Sequence, residues 1–336
     1  MRLATVFGRA FVWLSLSLAI DSVALADIGR PDRDEGPTKV EVKIFLLDVD
    51  DVDGASQSFE ANVYYEQRWK DPRLVRESIG ERSRPLSDVW HPRIQLVNQQ
   101  RVWKTFPDVV EIAPSGDVIY RQRVWGSFSQ PLLLRDFPFD RQVFEIQLVA
   151  TDYTSEEVEL VADPKSRISE RFSLPDWNVV SWKVESKNFQ AVLGGENFAA
   201  VTLSFEATRR AGYFMGKVII PLVMIVAMSW VVFWIDPRES GTQVSVAVTS
   251  ILTLIAYRFA VGAHLPKVEY MTRLDLFVLG SSILVFASLI QVVVTSSFAK
   301  KDRYLEARRI DRWCRCLFPI VFVLIALETL MLRIVL

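Results

Sequence analysis

Five side chains stand at a spacing that could let them act together: Ser245, Thr249, Leu252, Ala256 and Phe259. Steps of four, three, four and three residues place them on one stripe of an α-helix. Gln243 extends that series by a first step of two. The stripe grades from hydroxyls to bulky apolar groups. Hydroxyl oxygens can replace part of an ion's hydration shell, and apolar rings resist wetting and so block ions. The same stripe also suits helix packing, in which Ser and Thr hydrogen-bond across an interface. The helix alone leaves both readings open.

Other chemistries find little support. The chain holds two His, His91 and His264, far apart in sequence, and two Cys, Cys314 and Cys316. Residues two apart on a helix point in different directions, so these Cys do not bridge each other. No nucleophile elbow, phosphate loop or metal-ligand cluster is visible, so neither an enzyme nor a cofactor is expected. Asp51-Val52-Asp53-Gly54 with Glu60 forms half a calcium loop, but Val49 stands where its first ligand belongs, so no metal site is assigned. Asp48, Asp50, Asp51 and Asp53 crowd together, which should raise the titration of some of them. A formal net charge of -1 gives no basis for binding nucleic acid.

The elements that position these residues fall into distinct parts. Half of the residues are hydrophobic and 24% are charged, which fits a soluble part joined to a membrane part. Residues 1–26 read as a signal peptide: Arg2 and Arg9, an apolar run from Ala10 to Ile20, then Ala24-Leu25-Ala26. A polar segment, 27–38, is expected to be mobile. Residues 39–210 alternate as short strands, clearest at Val40–Ile44, Phe59–Trp69, Val118–Trp125, Phe144–Val149, Val179–Glu185 and Ala199–Phe205. They predict an extracellular, immunoglobulin-like β-sandwich of about ten strands. Residues 211–336 carry four apolar segments, at about 212–235, 239–261, 272–296 and 312–336, each near the length of one bilayer span. Lys300, Lys301, Arg303, Arg308, Arg309 and Arg312 form the densest basic linker, which places it in the cytoplasm. The sandwich and the C-terminus then lie outside.

Motifs along the chain bring in a resemblance. Trp69-Lys70-Asp71-Pro72-Arg73-Leu74, Trp90-His91-Pro92 with Asn98, Phe137-Pro138-Phe139-Asp140, Arg209 before Tyr213-Phe214, Ile219-Ile220-Pro221, and Leu265-Pro266-Lys267 with Tyr270-Met271-Thr272 follow one another. In that order they resemble the pentameric ligand-gated ion channels, the Cys-loop receptors, in their bacterial form. The resemblance covers about Lys39 to the C-terminus. Eukaryotic members close the Phe-Pro-Phe-Asp loop with two Cys; those positions here are Gln130 and Phe144.

The resemblance implies a homopentamer in the cell inner membrane, with a periplasmic sandwich and a pore lined by Ser245, Thr249, Leu252, Ala256 and Phe259. Leu252 and Phe259 form the gate. Glu239, Thr242 and Gln243 are the selectivity candidates; the family's selectivity Glu falls on Thr242, and a ring of Glu239 leans toward monovalent cations unless Arg238 cancels it. Ligand-binding candidates are Tyr64 on one subunit face and Tyr153, Asp152, Phe189 and Phe198 on the other, while Thr151 takes the place of the usual Trp. Trp90 and Trp125 read as core. The stimulus is a small amine, held by cation–π contact, or protons. Coupling runs through Asp51, Asp53, Phe137, Pro138, Phe139 and Asp140 to Pro266 and Lys267. Arg209 is expected to pair with Asp140, Asp51 or Asp53. The rival reading is a membrane-anchored binding protein without a pore.

Overall fold

A computed structural model describes residues 29–33, 36–76, 80–191, 194–262, 265 and 268–331. The expected signal peptide, Pro266 and Lys267 lie outside the described residues. Twelve strands and four long helices make up the described chain.

Strands β1 (Thr38–Asp53), β2 (Ser58–Lys70), β3 (Arg82–Pro85), β4 (Ile94–Leu96), β5 (Gln99–Lys104) and β6 (Val109–Ile112) come first. Strands β7 (Asp117–Ser129), β8 (Arg141–Thr154), β9 (Val158–Ala162), β10 (Arg167–Ile168), β11 (Trp177–Phe189) and β12 (Phe198–Arg209) follow. Eight form one sheet with the order β10-β1-β2-β7-β6-β3, to which β5 adds on β7 and β9 on β1. The other four run β11-β12-β8-β4. The two sheets bury their inner faces on each other, with Phe59, Phe128, Phe144 and Phe205 fully enclosed between them. The period-two burial of β7 follows from its sequence, since Val118, Tyr120, Val124 and Phe128 alternate with polar residues. The polar segment before β1 is tied down at Arg30, which donates to the Glu157 carbonyl at 2.9 Å.

Below the sandwich, α1 (Gly212–Trp234), α2 (Ser240–Gly262), α3 (Arg273–Lys300) and α4 (Tyr304–Met331) are each long and apolar enough to cross a membrane. Helix α1 widens to a π-turn at Met215–Ile219, just ahead of Pro221. A proline removes a helix hydrogen bond, and a widened turn absorbs the mismatch. Tyr257 of α2 donates its hydroxyl to the Val218 carbonyl within that turn. Helix α3 begins with a capping box between Thr272 and Asp275, which fixes where the span starts.

Candidate functional site

Helix α2 packs on its neighbours through Gln243, Ala247, Ser250 and Leu254, all buried. The stripe read from the sequence lies elsewhere: Ser245, Thr249 and Ala256 are exposed, Leu252 is 61% exposed and Phe259 80%. The Thr249 hydroxyl donates to the Ser245 carbonyl at 2.8 Å, and Thr253 to Thr249 at 2.8 Å. Because each proton goes to the helix's own backbone, the oxygen lone pairs face outward as acceptors.

Gln243 does not belong to the stripe. It is fully buried and donates to the carbonyls of Val232 at 3.2 Å and Ile235 at 3.0 Å, closing the end of α1. Two helical steps turn about 200°, so a residue two before Ser245 faces away from it. Gln243 is thereby corrected from selectivity candidate to structural cap. Glu239 and Thr242 are both exposed. Arg238 lies with its guanidinium 4.6 Å from the Tyr304 ring centre, held against the start of α4. Asp236 next to it pairs with Arg308 of α4.

At the junction of sandwich and helices, Arg209 reaches Asp140 at 2.7 Å through Nε and 3.2 Å through a terminal nitrogen. Gln142 donates to the same carboxylate at 2.9 Å. The Arg209 guanidinium is flanked by Trp177 at 4.2 Å and Phe137 at 4.9 Å. Phe137 in turn meets Phe214 of α1 edge to face at 4.6 Å. The loop before Asp140 hangs on α3: Arg273 Nε pairs with Asp136 at 2.8 Å, and the Arg273 and Leu274 amides donate to the Arg135 and Phe137 carbonyls. Tyr270 accepts from the Leu134 amide at 2.8 Å. Pro138 is buried, whereas Phe139 remains 39% exposed. Among the expected partners of Arg209, Asp51 is exposed and Asp53 accepts instead from Ser56 and Ala55.

The sequence missed Trp177, Gln142, Arg273 and Asp136 here. Arg273 and Trp177 meet partners far along the chain, Gln142 meets Asp140 only two residues away but outside any motif, and only Tyr270 carried a signal as part of a motif. At the positions where the family resemblance puts a disulfide in eukaryotic members, Gln130 Oε1 accepts from the Glu145 amide at 3.2 Å, beside the fully buried Phe144. A hydrogen bond thus links the residue after β7 to β8 at that level. The expected upward titration of the acidic loop is corrected at Asp53. The Ser56 hydroxyl bonded to it holds that carboxyl below its usual range, against a smaller opposing effect of burial.

The ligand candidates separate onto the two sheets. Phe189 and Phe198 stand opposite each other on β11 and β12, and Thr154 of β8 pairs with Phe198 on its other side. Tyr153 accepts from Trp90 Nε1 at 3.0 Å and packs on that buried ring, so it is half-turned into the core. Asp152 pairs with Arg93 at 3.2 Å. Tyr64 lies on β2 of the other sheet, near Phe45 and Phe106. Its hydroxyl donates to Glu66, which also meets Arg121, Arg68 and Lys43. Burial opposes ionisation of Glu66, but Arg121, Lys43 and the Tyr64 hydroxyl together hold its carboxyl below the usual range. Glu66 and Arg121 were not singled out from the sequence. Trp90 is core as expected, at 2% exposed, but Trp125 is 42% exposed and is corrected to a surface residue.

A sandwich of twelve described strands split into two sheets, seated by one loop on four apolar spans, is the architecture of a multi-pass membrane protein with an extracellular N-terminal domain. The model of the neurotransmitter-gated ion-channel ligand binding domain matches residues 26–211, more than half of the chain. The model of the neurotransmitter-gated ion-channel transmembrane region matches residues 218–303. The chain belongs to the neurotransmitter-gated ion-channel family. Its relatives include glycine receptor subunit beta of Rattus norvegicus, Mus musculus and Homo sapiens, each 28% identical over 295 residues. That alignment covers 83% of this chain and 59% of each relative, so the chain spans about three fifths of their length.

Proposed function

We propose that the chain is one subunit of a homopentameric, ligand- or proton-gated channel of the bacterial kind, with α2 lining the pore. The observation that carries this reading is the α2 stripe. Ser245 to Phe259 stay uncovered although three neighbouring helices pack on the bundle, and the hydroxyls of Thr249 and Thr253 are satisfied within their own helix. Packing across an interface would use those hydroxyls between helices. Leu252 and Phe259 form the apolar gate. Cations are the permeant ions: Glu239 is exposed at the inner mouth, Arg238 is drawn away to Tyr304, and the hydroxyl oxygens face outward as acceptors. The agonist is a small amine or the proton. An amine would sit between subunits, with Phe189, Phe198 and Asp152 from one and Tyr64 from the next, held by cation–π and carboxylate contacts. The named relatives are receptors for glycine, which itself carries an ammonium group.

Oocyte recording with pH steps and an amine panel, under a salt gradient, tests the proposal. A gated current reversing near the cation equilibrium potential is expected. Leu252→Ser should shift the midpoint of activation by about tenfold or leak at rest, because an apolar ring that resists wetting is lost. Loss of folding with no change in gating would instead mark Leu252 as packing.

A further inference from the structure

Trp103 of β5 and Trp125 of β7 are directly opposed in the strand register. Their indoles stack at 5.2 Å with 25° between planes. Both are surface residues, 57% and 42% exposed, which is unusual for two large aromatic rings side by side. The surroundings hold them in place. Trp125 Nε1 donates to Asp50 at 3.0 Å. Gly126 follows it at φ 155°, and a Cβ there would come within 1.9 Å of the Arg101 carbonyl. Only glycine lets β5 approach β7 closely enough for the stack.

The stack forms one wall of a cavity of about 330 Å³. Asp51, Asp53, Glu60 and Arg101 also line it, so carboxylates outnumber cations three to one. Among the described residues no three acidic or metal-ligating side chains converge as they would on a metal ion. An aromatic wall with dispersed carboxylates suits a bulky, weakly hydrated cation better than a compact one. The site is separate from the amine candidates: Phe189 and Phe198 lie on the other sheet, and Tyr64 stands four residues beyond Glu60 along β2.

From this geometry we propose that the Trp103–Trp125 stack and the carboxylates of Asp51, Asp53 and Glu60 form a second binding site, for an organic ammonium ion. Asp51 and Asp53 belong to the hairpin end that faces the membrane helices in the coupling scheme above. Occupancy would therefore bear on gating, but binding itself does not depend on the channel reading.

The test is calorimetric titration of the purified full chain in detergent with choline, and with its uncharged isostere 3,3-dimethylbutan-1-ol. Saturable choline binding is expected, with the neutral isostere much weaker. Trp103→Leu and Glu60→Gln should each weaken that binding by about fivefold or more, the scale of an aromatic or charge contact to a cation. Trp103→Tyr should recover most of it. Both substituted positions are exposed, so the fold is retained, and size-exclusion chromatography checks the assembly. Absence of saturable binding, equal binding of the isostere, or binding left unchanged by both Trp103→Leu and Glu60→Gln would overturn the proposal. So would dissociation of the assembly by Trp103→Leu, which would make the stack a contact between subunits.

Discussion

At Arg209, an ion pair, a hydrogen-bonded neighbour and two aromatic faces converge on one guanidinium. Its side chain is 10% exposed and that of Asp140 is 1% exposed, so both charges have left water. A buried pair of this kind need not stabilise the fold relative to an apolar replacement, but removing one partner strands the other. Asp140→Ala should therefore destabilise the protein by about 3–5 kcal/mol, read as a lowered midpoint of thermal unfolding. Arg209→Lys keeps the charge but loses the planar stack on Trp177 and the two-point contact, so it should fall between wild type and Asp140→Ala. No change in either variant would show that the junction is held by other contacts. That Arg209 pairs with an acid of the neighbouring loops was implied by the family resemblance, since its place between sandwich and span alone also suits an interfacial anchor. Which acid was not, because Asp140 is selected by the Arg209 backbone donating to its carbonyl at 3.1 Å, a contact that register creates.

Among elements, the long strands were legible and the short ones were not. The six alternating runs fall inside β1, β2, β7, β8, β11 and β12. Strands β3 to β6, β9 and β10 are short, so few residues are available for a local period to mark them. Helix α2 was legible as a span and as a stripe, and misread only at Gln243, where the step of two broke the helical period. Gln243→Ala should lower stability by about 1–3 kcal/mol, since the Val232 and Ile235 carbonyls lose a donor, while the reversal potential stays unchanged. Glu239→Gln should do the opposite, shifting reversal toward non-selectivity without a stability cost. A shifted reversal potential in Gln243→Ala would return that residue to the lumen.

The sandwich also carries a pH dependence with a definite sign. Burial lowers His91 from its usual 6.5, with Arg93 acting in the same direction against the Val89 carbonyl and the nearby carboxylates. The unfolded chain then binds the proton more readily than the folded one. The contribution is fully present above pH 6.5 and is lost as pH falls through the folded value. Glu66 and Asp108, also held below their usual range despite burial, add the same trend in more acid solution. Denaturant midpoints measured from pH 7.5 to 5 should fall, and His91→Gln should flatten the upper part of that range. An unchanged profile in His91→Gln would mean that His91 is not the group titrating. The same variant separates acid loss of structure from any gating by protons.

For the whole molecule, the exposed apolar surface divides by neighbour. Met224, Ile283, Ile290 and Trp313 project from α1, α3 and α4, as expected of lipid-facing residues. Leu252 and Phe259 project from α2, which also presents hydroxyls, and lipid is a poor partner for those. The closed ring of chains proposed above would give that mixed face an aqueous axis. In the pentamer proposed above, Tyr64 on one sheet and Phe189 and Phe198 on the other would face each other between subunits. The most direct measurement is cysteine accessibility along α2 during current recording, with Cys314 and Cys316 first replaced by Ser. Single Cys at 245, 249, 252, 256 and 259 should be modified by a charged methanethiosulfonate from the aqueous phase and alter the current. Cys at 247, 250 and 254, on the packed side, should not react. Modification on the packed side, or none along the stripe of a conducting channel, would contradict α2 as the pore lining.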